Sequence, residues 1–129
     1  LGWDAMPLRE VRRITGKRNN FLLGQSIHSA NEAITAQKDC ADFLLVGTIF
    51  HSRSHPQEEP AGLALLTQVD QVTNLPFFAI GGINPENVPQ VMGTGAKGIA
   101  VIEAILGARD PAIAVTRLRH AMDSARSDQ

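Results

Sequence analysis

The chain has 129 residues, with 12 Lys plus Arg against 13 Asp plus Glu, for a formal charge of −1. Apolar residues make up 43% and charged residues 19%, ordinary values for one globular domain of residues 1–129. The near-neutral balance argues against a nucleic-acid footprint, and no apolar run approaches the roughly 20 residues that span a bilayer. The single Cys, Cys40, excludes an intrachain disulfide framework and points to a reducing, cytoplasmic setting. The sequence opens at Leu1 without a Met.

A first helix is marked by the apolar stripe Leu8, Val11 and Ile14, with Arg9, Arg12, Arg13, Lys17 and Arg18 on its solvated face. Four short apolar runs then read as strands: 21–24, 43–47, 77–81 and 98–102. None alternates apolar with polar residues, the pattern of strands covered on both faces in a parallel sheet. Between them, Ser29-Ala30-Asn31-Glu32 spells a capping box, with Ser29 as cap and Glu32 reaching back to the cap amide. Leu65, Leu66, Val69 and Val72 form the stripe of the helix after Gly62. Asn84-Pro85 and Asp110-Pro111 each place a capping side chain before a Pro at the first helical position. The last helix carries Val115, Leu118 and Met122 on one stripe, and residues 124–129 read as a loose tail.

This is a βα unit repeated four times, with an enlarged loop after the second strand. Such a series gives either an open doubly wound sheet or a (β/α) barrel. No G-x-G-x-x-G follows a strand, which disfavours the dinucleotide-binding sheet.

Candidate chemistry gathers after the strands. Gly81-Gly82-Ile83-Asn84-Pro85 joins the third strand to its helix; the paired glycines either cradle a phosphate with main-chain N–H groups or make a tight turn. A short helical turn at Glu103-Ala104-Ile105-Leu106, before Asp110, matches the extra helix of the barrel phosphate site, although the Glu103 carboxylate would repel an anion it faced. Ser26 and His28 follow the first strand on one side, and His28 is either a proton carrier or a loop hydrogen-bonding group. The enlarged loop holds His51, Ser52, Arg53, Ser54 and His55, either a second anion site or a solvated surface. A zinc site at His51 and His55 is disfavoured by Pro56, so no metal ligands are assigned. Cys40 reads as a quiet thiol, and Trp3 as either pocket lining or rim filler.

Taken together, Leu1-Gly2 with Pro7, Gly24-x-Ser26-x-His28-Ser29, Ala41-Asp42-Phe43, Val46-Gly47-Thr48-Ile49-Phe50, Gly62-Leu63, Ala79-Ile80-Gly81-Gly82-Ile83 and Gly95-Ala96-x-Gly98-Ile99-Ala100-Val101 resemble the thiamine phosphate synthase and thiazole tautomerase (TenI-like) family. The resemblance implies an α/β TIM-barrel type fold in which only the last four βα units are present, a half barrel. It implies that Gly81, Gly82, Ile102 and Glu103 surround a thiazole phosphate, and that Ser26, Ser52, Ser54 and His55 line the pyrophosphate loop. It gives His28 the part of the tautomerase proton carrier.

Three positions depart from the synthase pattern. Ala5 stands where a magnesium-binding Asp belongs, His55 where a Lys belongs, and Glu103 where Ser is common. The expected function is therefore thiazole phosphate binding with tautomerase-like proton transfer by His28. The alternatives are the synthase reaction, which joins a pyrimidine diphosphate to thiazole phosphate, or a non-catalytic phosphate-binding module. No cofactor is expected except magnesium if synthase activity is retained. Four strands leave an open sheet, so the expected partner is a second copy in a homodimer or a missing amino-terminal half-barrel.

Overall fold

A computed structural model describes residues 7–15, 22–51, 60–101 and 103–127. The elements in chain order are α1 (Leu8–Thr15), β1 (Gly24–Ile27), α2 (Ala30–Lys38), β2 (Phe43–Val46), α3 (Leu63–Val72), β3 (Phe77–Ile80), α4 (Val88–Met92), β4 (Gly98–Ala100), α5 (Glu103–Leu106) and α6 (Pro111–Ser127). The strands form one sheet in the order β1-β2-β3-β4, every neighbouring pair parallel.

That order decides between the two architectures. A doubly wound sheet reverses its strand order part-way, whereas here each strand lies beside the one before it. Parallel crossovers are right-handed, so an unreversed order sends every connecting helix to the same face. The helices indeed form one layer, α2 against α3, α3 against α4 and α4 against α6. The chain is a four-unit portion of a (β/α) barrel.

The register separates two faces. Ile27, Leu44, Val46, Phe77 and Ala79 lie on one face and are buried under the helices. They meet Ala33 and Ala36 of α2, Leu65, Leu66 and Val69 of α3, Val88, Val91 and Met92 of α4, and Leu118 of α6 in a single core cluster. The opposite face carries Gly24, Ser26, Phe43, Leu45, Phe78 and Ile80, all half-buried, together with Gly98. In a closed barrel this is the inner face.

Several expected boundaries move. The first strand is Gly24–Ile27 rather than 21–24; Phe21 lies outside the described residues and Leu22 is 74% exposed. Leu22 and Leu23 precede the strand, and the pairing segment is the more polar Gly-Gln-Ser-Ile, whose Gly24 and Ser26 lie on the inner face. Glu32 caps one residue earlier than expected: Ser29 accepts from the Glu32 amide at 3.1 Å, but Glu32 accepts from the His28 amide at 2.6 Å. The α4 helix begins at Val88 rather than at Pro85, since Asn84 and Asn87 each accept the other's amide at 2.9 Å and hold a turn between them.

The stripe of α6 is Leu118, Ala121, Met122 and Ala125, whereas Val115 is 47% exposed. Val72 of α3 is likewise uncovered at 39%. The α6 helix runs through Ser127, taking in most of the segment expected as a tail. Its start is as expected, with the Asp110 carboxylate accepting from the amides of Ala112 and Ile113 at 3.1 and 3.2 Å.

Two substitutions measure these features by urea unfolding. Leu44 is fully buried between sheet and helices, so Leu44→Ala is expected to cost about 2–5 kcal/mol. Asp110→Ala removes a helix cap at an exposed position and is expected to cost about 1 kcal/mol.

Candidate functional site

All four strands are parallel, so their carboxyl ends share one edge of the sheet. There lie Ser26 at the end of β1 with His28 and Ser29 beyond it, Gly47 to His51 after β2, Gly81 to Asn84 after β3 and the start of α5 after β4. This is the rim at which barrels place their chemistry.

The glycine pair is the most constrained part of the rim. Gly81 has φ 105° and Gly82 φ 63°, both in the region that L side chains rarely enter. Space matters as much as dihedral angle. A Cβ on Gly81 would sit 2.6 Å from the Thr48 methyl, and one on Gly82 only 2.4 Å from the His51 carbonyl oxygen. The turn is thus wedged against the loop that follows β2.

The carbonyls and the N–H groups of this turn differ in their partners. Its carbonyls are used internally: Ile80 and Gly81 accept from the amides of Ile49 and Phe50 at 3.1 Å each, and Gly82 accepts from Asn87 Nδ2 at 3.0 Å. The N–H groups of Gly82 and Ile83 donate to no other described residue. The α4 dipole adds little, because α4 has five residues and starts at Val88. The helix expected to start at Pro85 thus starts at Val88, beyond the glycine turn. Asn87, which anchors the Gly82 carbonyl, is not among the expected residues; its signal in the sequence is the Asn84-x-x-Asn87 spacing.

On the strand two places along, Ser26 stands opposite Leu45 on the inner face, and His28 follows just beyond the strand end. The His28 side chain is half-exposed, with Nδ1 3.8 Å from the Glu32 carboxylate. Two strand spacings separate β1 from β3, so His28 and the glycine turn lie about 10 Å apart across the rim. Of the other expected site residues, Ser52, Ser54, His55 and Ile102 lie outside the described residues, as do Trp3 and Ala5. Glu103 is the first residue of α5, so the expected short helix is present. Among the described residues no three His, Cys, Asp or Glu side chains gather as a metal site. Cys40 is exposed in the turn after α2. A hollow of about 490 Å³ lies at the opposite, amino-terminal mouth, lined by Leu22, Asp42, Phe43, Pro76 and Phe78.

Comparison with known proteins supports the fold and places the chain in a family. Residues 1–105 match the family model described as thiamine monophosphate synthase. A thiamine-phosphate synthase of Chloroflexus aurantiacus is 43% identical over 120 residues, which is 92% of this chain and 54% of that protein. One from Pyrococcus furiosus is 37% identical over 119 residues, 92% of this chain and 56% of that protein. The solved thiamine phosphate pyrophosphorylase from Pyrococcus furiosus superposes with a TM-score of 0.85 at 35% identity, covering 97% of this chain and 58% of that one. The chain spans about half the length of these relatives. They carry the name of the synthase alternative rather than of the tautomerase expected first. Among the described residues no helix is long and apolar enough to cross a membrane. On its sequence and its fold, the chain belongs to the thiamine monophosphate synthase family.

Proposed function

We propose that this chain supplies the thiazole phosphate-binding half of a thiamine phosphate synthase site. The observation that carries the proposal is the pair of unused amides at Gly82 and Ile83 on the carboxyl rim of the sheet. An oxyanion accepting both makes charge-assisted hydrogen bonds, which are stronger than neutral ones. No side-chain cation is needed, so the site would take a phosphate monoester without a large positive field.

With the phosphate anchored there, the ring of the ligand extends over the rim toward β1, where Ser26 offers a hydroxyl. In this reading Ser26 donates to the pyrophosphate of the second substrate, and Ser52, Ser54 and His55 belong to the loop that covers it. Coupling of the two substrates forms a carbon–nitrogen bond to the thiazole and releases pyrophosphate. The charge that builds on the leaving group needs donors placed in advance. Magnesium commonly serves such a role. The inner face of the sheet is open, so the working site also needs strands from outside the described residues.

A second reading, thiazole tautomerisation, is favoured by one observation: the carboxylate of Glu32 lies near His28 Nδ1 and also accepts its amide. An imidazole with a carboxylate nearby suits proton transfer.

Calorimetric titration with 4-methyl-5-(2-phosphooxyethyl)thiazole and with the corresponding alcohol tests the phosphate anchor. The phosphate ester is expected to bind at least about tenfold more tightly than the alcohol. Equal affinities would remove the proposal. Turnover distinguishes the two readings. Pyrophosphate release on mixing the pyrimidine diphosphate with thiazole phosphate, surviving in His28→Ala, is the synthase outcome. Isomerisation of a carboxythiazole phosphate that falls by at least about a hundredfold in His28→Ala is the tautomerase outcome.

A further inference from the structure

We propose that Asn87 is a positioning residue for the phosphate anchor, setting the Ile83 N–H through the Gly82 carbonyl without touching the ligand. The proposal rests on the reading of Gly82 and Ile83 as the phosphate donors. Asn87 is half-buried and stands at the N-cap of α4, where its side chain makes no capping bond to the helix.

The side-chain amide is used at both ends instead. Oδ1 accepts from the Asn84 amide at 2.9 Å, and Nδ2 donates to the Gly82 carbonyl at 3.0 Å. The first partner can only donate and the second can only accept, so the two bonds fix which way round the amide sits. Few side chains meet both demands at that reach. Asp has no donor, a hydroxyl offers one oxygen for two partners, and Gln carries its amide one carbon farther out. The two ends also have separate tasks. Together with the bond from the Asn87 main-chain amide to Asn84 Oδ1 at 2.9 Å, the Oδ1 end holds the turn 84–87. The Nδ2 end reaches back to the glycine pair.

That second task bears on the anchor because the Gly82 carbonyl and the Ile83 N–H are two ends of one peptide group. Gly47–Thr48 is the one cis bond among the described residues, so this group is trans. In a planar trans peptide the carbonyl and the N–H point in opposite directions. A donor that holds the carbonyl therefore holds the direction of the N–H on the other side. It also polarises the group, since hydrogen bonds in series strengthen one another. Nδ2 lies on the carbonyl side, opposite the side from which a ligand would accept the Ile83 N–H.

The preceding peptide is held in the same way by the main chain. Its carbonyl, that of Gly81, accepts from the Phe50 amide at 3.1 Å, and its N–H is that of Gly82. The two adjacent donors thus have separate holders, the loop after β2 for Gly82 and Asn87 for Ile83. Only the second can be removed by changing a side chain.

Calorimetric titration of the protein and three variants with 4-methyl-5-(2-phosphooxyethyl)thiazole and the corresponding alcohol tests the proposal. Asn87→Asp keeps the acceptor for the Asn84 amide and loses the donor. It is expected to weaken binding of the phosphate ester about tenfold while leaving that of the alcohol unchanged. Asn87→Leu, similar in shape and uncharged, is expected to do the same, which separates loss of the donor from repulsion by a new carboxylate. Asn84→Ala loosens the same turn but leaves the Nδ2 bond, and is expected to keep the ester affinity within about twofold. In the free protein the Ile83 amide proton is expected to move to higher field in both Asn87 variants, with that of Gly82 moving less. Unchanged ester affinity in either folded Asn87 variant overturns the positioning role, as does an Ile83 resonance that stays in place in both. A loss in Asn84→Ala equal to that in Asn87→Asp also overturns it, because the turn alone would then account for the effect. These three outcomes leave the phosphate reading standing. A parent protein that binds ester and alcohol equally removes that reading, and the role of Asn87 with it.

Discussion

The constraint on which the rest depends is the unreversed order of four parallel strands. Because each crossover is right-handed and the order never turns back, all helices cover one face and the other is left for the barrel interior. The same arrangement collects every strand's carboxyl end at one rim, bringing His28, Thr48 and Gly82 into one neighbourhood although they are far apart in sequence. The core beneath the helices anchors this rim. Leu44, Val46, Phe77 and Ala79 are essentially out of contact with water, so the loops that carry polar groups hang from a rigid layer.

The glycine turn shows how packing produces a binding feature. Close approach of the loop after β2 leaves no room for a Cβ at Gly81 or Gly82. The same approach draws the carbonyls of Ile80 and Gly81 into hydrogen bonds with Ile49 and Phe50, while Asn87 holds the carbonyl of Gly82. With the acceptors committed, the donors of Gly82 and Ile83 are the groups left to a ligand.

Much of the fold was legible in the sequence because burial on both faces of a strand writes a continuous apolar run. Phe43–Val46, Phe77–Ile80 and Gly98–Ala100 fall inside the runs that announced them. The caps at Ser29 and Asp110 were legible because side-chain oxygens at helix starts have a local cause. The misreadings share a different cause, a tertiary setting that local pattern does not encode. Leu22 is apolar but sits at an uncovered mouth, whereas Ser26 is polar but occupies a strand whose inner face is open. Asn84-Pro85 has a helix-start spelling, yet the reciprocal bonds with Asn87 delay the helix by a turn. At the site, the paired glycines were visible in the sequence. The engagement of the Ile80 and Gly81 carbonyls by the loop after β2, and of the Gly82 carbonyl by Asn87, was not, because each depends on tertiary packing.

The central claim is that the main-chain donors of Gly82 and Ile83 receive a phosphate. Its most direct test is amide proton–nitrogen correlation spectroscopy of the chain titrated with the thiazole phosphate ester. The account predicts that the Gly82 and Ile83 resonances move most, to lower field and with saturation, as hydrogen bonds to an oxyanion form. A titration that saturates while those two resonances stay fixed and others move would contradict it.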